Sequence, residues 1–76
     1  MNSKMFINFL KTLPQISVDA SFRENFLYVR ITDTNRQVKR TYKANLDICK
    51  DSYGEDLIGE IFEDCAENFC MEVYNI

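Results

Sequence analysis

The residues whose types and spacing point to chemistry lie in the last third of the chain. Asp56, Glu60, Glu63 and Glu67 recur at intervals of four, three and four. On a helix that spacing stacks them along one face, with Asp64 at its margin. Like charges so placed cost a few tenths of a kcal/mol per pair, and no Lys or Arg follows Lys50 to relieve them. A local cost without a local gain suggests use by something outside the chain. A row of carboxylates can imitate a phosphate backbone and occupy a basic site on a nucleic-acid-processing protein. The expected partner-binding set is Asp51, Tyr53, Glu55, Asp56, Glu60, Glu63, Asp64 and Glu67. Tyr53 is the foremost anchor, and Tyr42 and Tyr74 are further ones, since tyrosine joins contact area to a polar tip. The competing explanation is a solvated face that only keeps the chain in solution.

A second constellation is the alternative. Phe26, Tyr28, Arg30 and Thr32 alternate along one expected strand, and Lys39, Thr41 and Lys43 along the next. Aromatics interleaved with cations on a sheet can stack bases and hold phosphates. Nucleic-acid-binding residues on this reading are Phe26, Tyr28, Arg30, Lys39 and Lys43, although an acidic chain repels a polyanion as a whole. A third possibility is a homo-oligomer joined through the third strand or exposed aromatics.

Other chemistries find little footing. Asp47, Asp51, Glu55 and Asp56 do not follow a calcium-loop pattern. No metal, cofactor or catalytic residue is expected. The chain has no His, which excludes Ser-His-Asp and Cys-His arrangements. Its two glycines, Gly54 and Gly59, make no phosphate loop. Cys49, Cys65 and Cys70 show no disulfide or zinc spacing and read as small apolar groups. With no signal-peptide core or spanning run, the expected location is cytoplasmic.

The elements that must position these residues follow from periodicity. Met5, Phe6, Phe9, Leu10 and Leu13 make an apolar stripe, so a helix is predicted at about 3–13, capped by Asn2 or Ser3 and stopped by Pro14. Ile16–Phe22 alternates apolar and polar, as does Phe26–Thr32, the strongest strand and the expected centre of a sheet. Arg23-Glu24-Asn25 and Asp33-Thr34-Asn35-Arg36 supply turns, with Asn25 tolerant of left-handed backbone. Gln37–Lys43 is predicted as a charged edge strand. Residues 44–51 form a connection, strand or loop, with Leu46 and Ile48 expected to be tucked under it. Ser52 and Glu55 fit a capping box opening a long helix at about 53–73, whose apolar stripe is Leu57, Ile58, Ile61, Phe62, Cys65, Phe69 and Val73.

The fold class that results is α+β: a two-layer domain spanning residues 1–76, with a three-stranded antiparallel meander covered on one face by two helices. At 76 residues with 46% hydrophobic and 13% aromatic content, one core is all the chain can build. The net charge of −3 conceals a division. Residues 1–50 hold nine bases and four acids, a net +5, whereas residues 51–76 hold eight acids and no base.

The order helix, three strands, helix resembles the double-stranded RNA-binding domain over the whole chain. That family carries a basic cluster at the start of its second helix. The matching stretch here, Asp51-Ser52-Tyr53-Gly54-Glu55-Asp56, has the opposite sign, so that function does not transfer. In size, charge segregation and element order the chain also resembles small acidic inhibitors encoded by phages and other mobile elements, including type II anti-CRISPR proteins. That resemblance implies an acidic helix that sits in a basic, DNA-reading pocket.

Overall fold

A computed structural model describes residues 4–53 and 56–75, with the side chains of residues 52 and 53 outside the description. The order is α1 (Met5–Lys11), β1 (Ile16–Arg23), β2 (Phe26–Asp33), β3 (Val38–Asn45), α2 (Leu46–Tyr53) and α3 (Leu57–Phe69), followed by a π-helical turn, Cys70–Tyr74. The strands form an antiparallel sheet in the order β1-β2-β3. The fold is therefore the expected α+β arrangement, with a third helix added.

The period of two sets the two sheet faces. Leu27, Val29, Ile31 and Asp33 of β2 point to the helices and are buried. Register places Val18 and Arg40 beside Ile31, and Ala20 and Tyr42 beside Val29. Ile7 and Leu10 of α1 and Ile61, Cys65, Ala66 and Phe69 of α3 complete the core with Cys70. Phe26, Tyr28, Arg30 and Thr32 point the other way, opposite Asn45, Lys43, Thr41 and Lys39 of β3.

Residues 44–51 and the long final helix depart from expectation. The stretch from Leu46 is neither strand nor loop but α2, which begins directly after β3. Asn45 caps it: its Oδ1 accepts the backbone N–H groups of Asp47 at 3.0 Å and Ile48 at 3.2 Å. The Leu46 N–H donates to the Asn25 carbonyl at 2.8 Å, and the Asn25 side-chain amide donates to Asp47. The β1–β2 turn thus fixes where α2 starts. The left-handed residue of that turn is Glu24, at φ 55°, not Asn25.

The helix expected at 53–73 begins later, as α3 at Leu57, and its last turn, Cys70–Tyr74, is π-helical. Ser52 belongs to α2, so it does not cap α3, and Glu55, its proposed capping partner, lies outside the described residues. Asp56 stands at the N-cap position of α3 without a side-chain cap bond. The expected cap of α1, Asn2 or Ser3, also lies outside the described residues. The buried arc of α3 includes Ala66 and then Cys70, while Ile58 is exposed. That arc is turned toward α1 relative to the stripe of large apolar residues, because small side chains mark the close approach.

The π-helical turn brings Tyr74 back onto the sheet. Its ring packs edge-on against Phe9 and Phe69, and its hydroxyl donates to buried Asp33. The Arg36 N–H also donates to Asp33, at 3.0 Å, and the Arg36 guanidinium lies 4.6 Å from the Tyr74 ring centre. Burial pushes the Asp33 carboxyl up, but hydrogen bonds from Tyr74 and the backbone of Arg36 and Asn35 outweigh it, and the net shift is downward. Among the described residues, no helix is long and apolar enough to cross a membrane.

Candidate partner-binding surface

Packing of α3 between α1 and α2 decides where each acid goes. At about 100° per residue, Asp56, Glu60 and Glu67 fall at the outward centre of α3, Glu63 to one side and Asp64 to the other. Glu63 is drawn inward. Its two oxygens accept the backbone N–H groups of Phe6 and Ile7, both at 2.9 Å. These are orphan donors at the start of α1, a helix whose N-cap, Lys4, is left-handed and offers no side-chain cap. Glu63 is therefore a cap supplied from a distance rather than a member of an outward ridge.

Other acids also find partners within the chain. Asp56 pairs with Lys4, whose ammonium is held above its ordinary pKa chiefly by that hydrogen bond. Room for the Lys4 stem comes from Gly59: a Cβ there would stand 2.6 Å from Lys4 Cε. Glu72 accepts the Tyr42 hydroxyl at 2.7 Å and lies 3.7 Å from Arg40 Nε. Tyr42 and Tyr74, expected as partner anchors, thus both spend their hydroxyls inside the fold. Burial, then the bond to Glu72, raises the Tyr42 pKa. The Tyr53 side chain and Glu55 lie outside the described residues.

Of the remaining acids, Asp64 lines a groove. A hollow of about 370 Å³ runs between the end of β3, α2 and α3. Ile61 and Cys65 lie on its floor side, Asp64 and Asn68 on the α3 wall, and Ile48 and Cys49 on the α2 wall. Ile48 is 67% exposed, the most exposed large aliphatic side chain described. Asp47 and Asp51 are exposed on α2, and Glu67 is exposed on α3 beside Asn68. Neither Asp51 nor Glu67 makes a side-chain hydrogen bond or ion pair among the described residues. From Leu46 onward the chain has nine acids and one base, Lys50. The groove thus joins an exposed apolar side chain, Ile48, to one lining carboxylate, Asp64, and one lining cation, Lys43. Leu46 is half-buried as expected, but Ile48, expected beside it under the connection, faces outward because the stretch is the helix α2, which also makes the groove. The Asn45-Leu46-Asp47 cap signal was the available clue.

The opposite side of the molecule is positive. The open sheet face carries Arg23, Arg30, Lys39 and Lys43 against one acid, Asp19. Lys43 Nζ lies 4.2 Å from the Phe26 ring centre and 6.0 Å from that of Tyr28. A hollow of about 400 Å³ on this face is bordered by Arg23, Tyr28, Arg30 and Thr41. Every residue of the alternative set therefore shares one surface. Compared with known proteins, the chain matches no family model, and no curated protein or solved structure is significantly similar to it.

Proposed function

We propose that the protein is a small inhibitor or regulator that binds a cationic, nucleic-acid-reading surface of another protein through the groove between α2 and α3. The observation that carries this reading is the exposed Ile48 on the wall of a groove that Asp64 also lines, on a helix that carries Asp47 and Asp51 as well. Carboxylates in a rim steer a basic partner and reject acidic ones, while the aliphatic centre supplies the desolvated contact that charge alone lacks. The acidic surface described from sequence is thereby recentred: Asp51, Asp64 and Glu67 stay in it, Asp56 and Glu60 lie on its outer flank, and Glu63 leaves it. A partner that reads nucleic acid would be met in the cytoplasm. The resemblance to small acidic inhibitors encoded by phages and other mobile elements favours the same reading.

Affinity capture from lysate with three proteins tests it. Wild type should retain a basic nucleic-acid-binding protein. The variant Asp51→Lys/Glu67→Lys should lose it with an unchanged far-UV spectrum. Ile48→Ser should weaken it while leaving the charge intact, which non-specific attraction would not do. Retention of the same partner by both variants would remove the proposal.

One observation favours a second reading, a nucleic-acid-binding module: the Phe26–Tyr28–Lys43 cluster on an uncovered sheet. A mobility-shift titration with single-stranded and duplex nucleic acid at low salt separates the two. A shift that weakens steeply with salt and is lost in Arg30→Ala/Lys43→Ala supports the sheet surface.

A further inference from the structure

The edge of β1 presents a self-complementary surface. Among the described residues β1 forms a ladder with β2 alone, which leaves the other side of its eight residues open. β3, the opposite edge, carries Lys39, Arg40 and Lys43, which discourage pairing. β1, Ile-Ser-Val-Asp-Ala-Ser-Phe-Arg, has no Lys, Pro or Gly. On its helix side Phe22 is 65% exposed. Next to it in that row, past Ala20, Val18 borders a recess of about 390 Å³ formed with Ile7, Phe62 and Gly59, with Lys4 and Lys11 at its mouth.

We propose that two copies of the chain pair antiparallel through β1, with Ala20 facing the partner's Ala20. The register follows from elimination. A two-fold axis normal to the sheet keeps each residue on its own face, which admits only alternate registers. Centring on Asp19 sets two carboxylates directly opposite each other, an unfavourable pair. Centring on Ser21 shortens the pairing to five residues and sets Val18 against the partner's Glu24. Centring on Ala20 pairs seven residues. It sets Val18 against the partner's Phe22, whose ring then covers the apolar recess. On the other face it sets Asp19 opposite the partner's Ser21, with the partner's Arg23 and Asp19 at its two diagonals; the Asp19–Arg23 approach, made twice, outweighs the diagonal Asp19–Asp19 approach, made once. The contacts off the two-fold axis occur twice.

The product is a six-stranded sheet with both helical layers on one side. The two β2 strands are three strand steps apart, about 14–15 Å at the usual spacing. Both α2–α3 grooves remain uncovered at the far ends, so this pairing is independent of the partner-binding reading. It goes beyond that reading to the state in which the protein presents its surfaces.

Light scattering coupled to size exclusion over a concentration series tests the pairing on the full chain. A mass rising to twice the 9.0 kDa of one chain is expected. Asp19→Arg should weaken the dimer at least about tenfold, since it turns two attractions into repulsions. The swap Asp19→Arg/Arg23→Asp should restore it, which a merely structural effect would not do. Phe22→Ser should give monomer at every concentration with its circular dichroism retained. A monomeric wild type throughout, or a dimer unchanged in Phe22→Ser and Asp19→Arg, would overturn the proposal.

Discussion

Replacing Glu63 by Ala removes no surface ornament but both acceptors of the Phe6 and Ile7 N–H groups. A hydrogen bond to a charged group contributes roughly 1.5–3 kcal/mol net, and loss of an N-cap side chain costs about 0.5–2 kcal/mol. The two N–H groups are part-buried, so water recovers some of each bond. The balance is about 2–3 kcal/mol. In a domain of this size 1 kcal/mol shifts the melting point by about 4–8 °C, so Glu63→Ala should melt about 10–20 °C lower. Glu63→Gln keeps one acceptor but loses the charge at the start of α1, and should fall by about half as much. Glu67→Ala, on an exposed site of the same helix, should stay within about 0.5 kcal/mol. Thermal and urea unfolding followed by far-UV circular dichroism measures all three. A Glu63→Ala protein that melts with Glu67→Ala would refute the remote cap. Its outcome also decides how the surface can be probed: a charge reversal that includes Glu63 would lose binding by loosening α1, whereas Asp51 and Glu67 report on the surface itself.

Three further outcomes follow from the same geometry. Asp33 has a lowered carboxyl pKa in the fold, so its contribution is present above the unfolded value of about 3.9 and is lost as pH falls through the folded value. Urea unfolding from about pH 6 down to about pH 2 should show stability declining in that acid window, with a shallower decline and about 1–3 kcal/mol less stability at neutral pH in Asp33→Asn; an unchanged slope contradicts the assignment. Glu24→Gly should gain about 0.5–1 kcal/mol, since a side chain at φ 55° is strained and Gly is not; a loss measured by urea unfolding would show the side chain has a stabilising role. Burial pushes the Cys65 thiol up to about 11 and raises Cys70 as well, so a thiol reagent at mild alkaline pH should modify Cys49 quickly and the other two only after urea is added. Rapid labelling of all three would contradict the packing.

The strands were legible because alternation survives any tertiary context that covers one face. Leu27, Val29 and Ile31 against Tyr28, Arg30 and Thr32 admit one orientation once a helix lies on the sheet. The fate of the acids was not legible. Asp56, Glu60, Glu63 and Glu67 share one face of an isolated helix, but whether that face meets water depends on what packs alongside. A helix on each flank of α3 turns Glu63 toward the α1 N-terminus and Asp64 toward α2. The wheel lacked a neighbour on that second side because α2 is only eight residues long, too short for periodicity to separate from a loop. Asp33 misled for a related reason. Asp at the start of a turn is ordinary surface chemistry, and its burial depends on Tyr74, which a π-helical turn forty-one positions later delivers.

The groove between α2 and α3 is tested most directly by titrating isotope-labelled protein with an arginine-rich peptide and, separately, with a thymidine oligonucleotide, following every backbone amide by NMR. The peptide should move Ile48, Cys49, Asp64 and Asn68, Asp51→Lys/Glu67→Lys should abolish those shifts, and the oligonucleotide should leave these amides in place. Peptide shifts scattered evenly over the acidic residues, or oligonucleotide shifts centred on Phe26, Tyr28 and Lys43 with none at the groove, would contradict this reading.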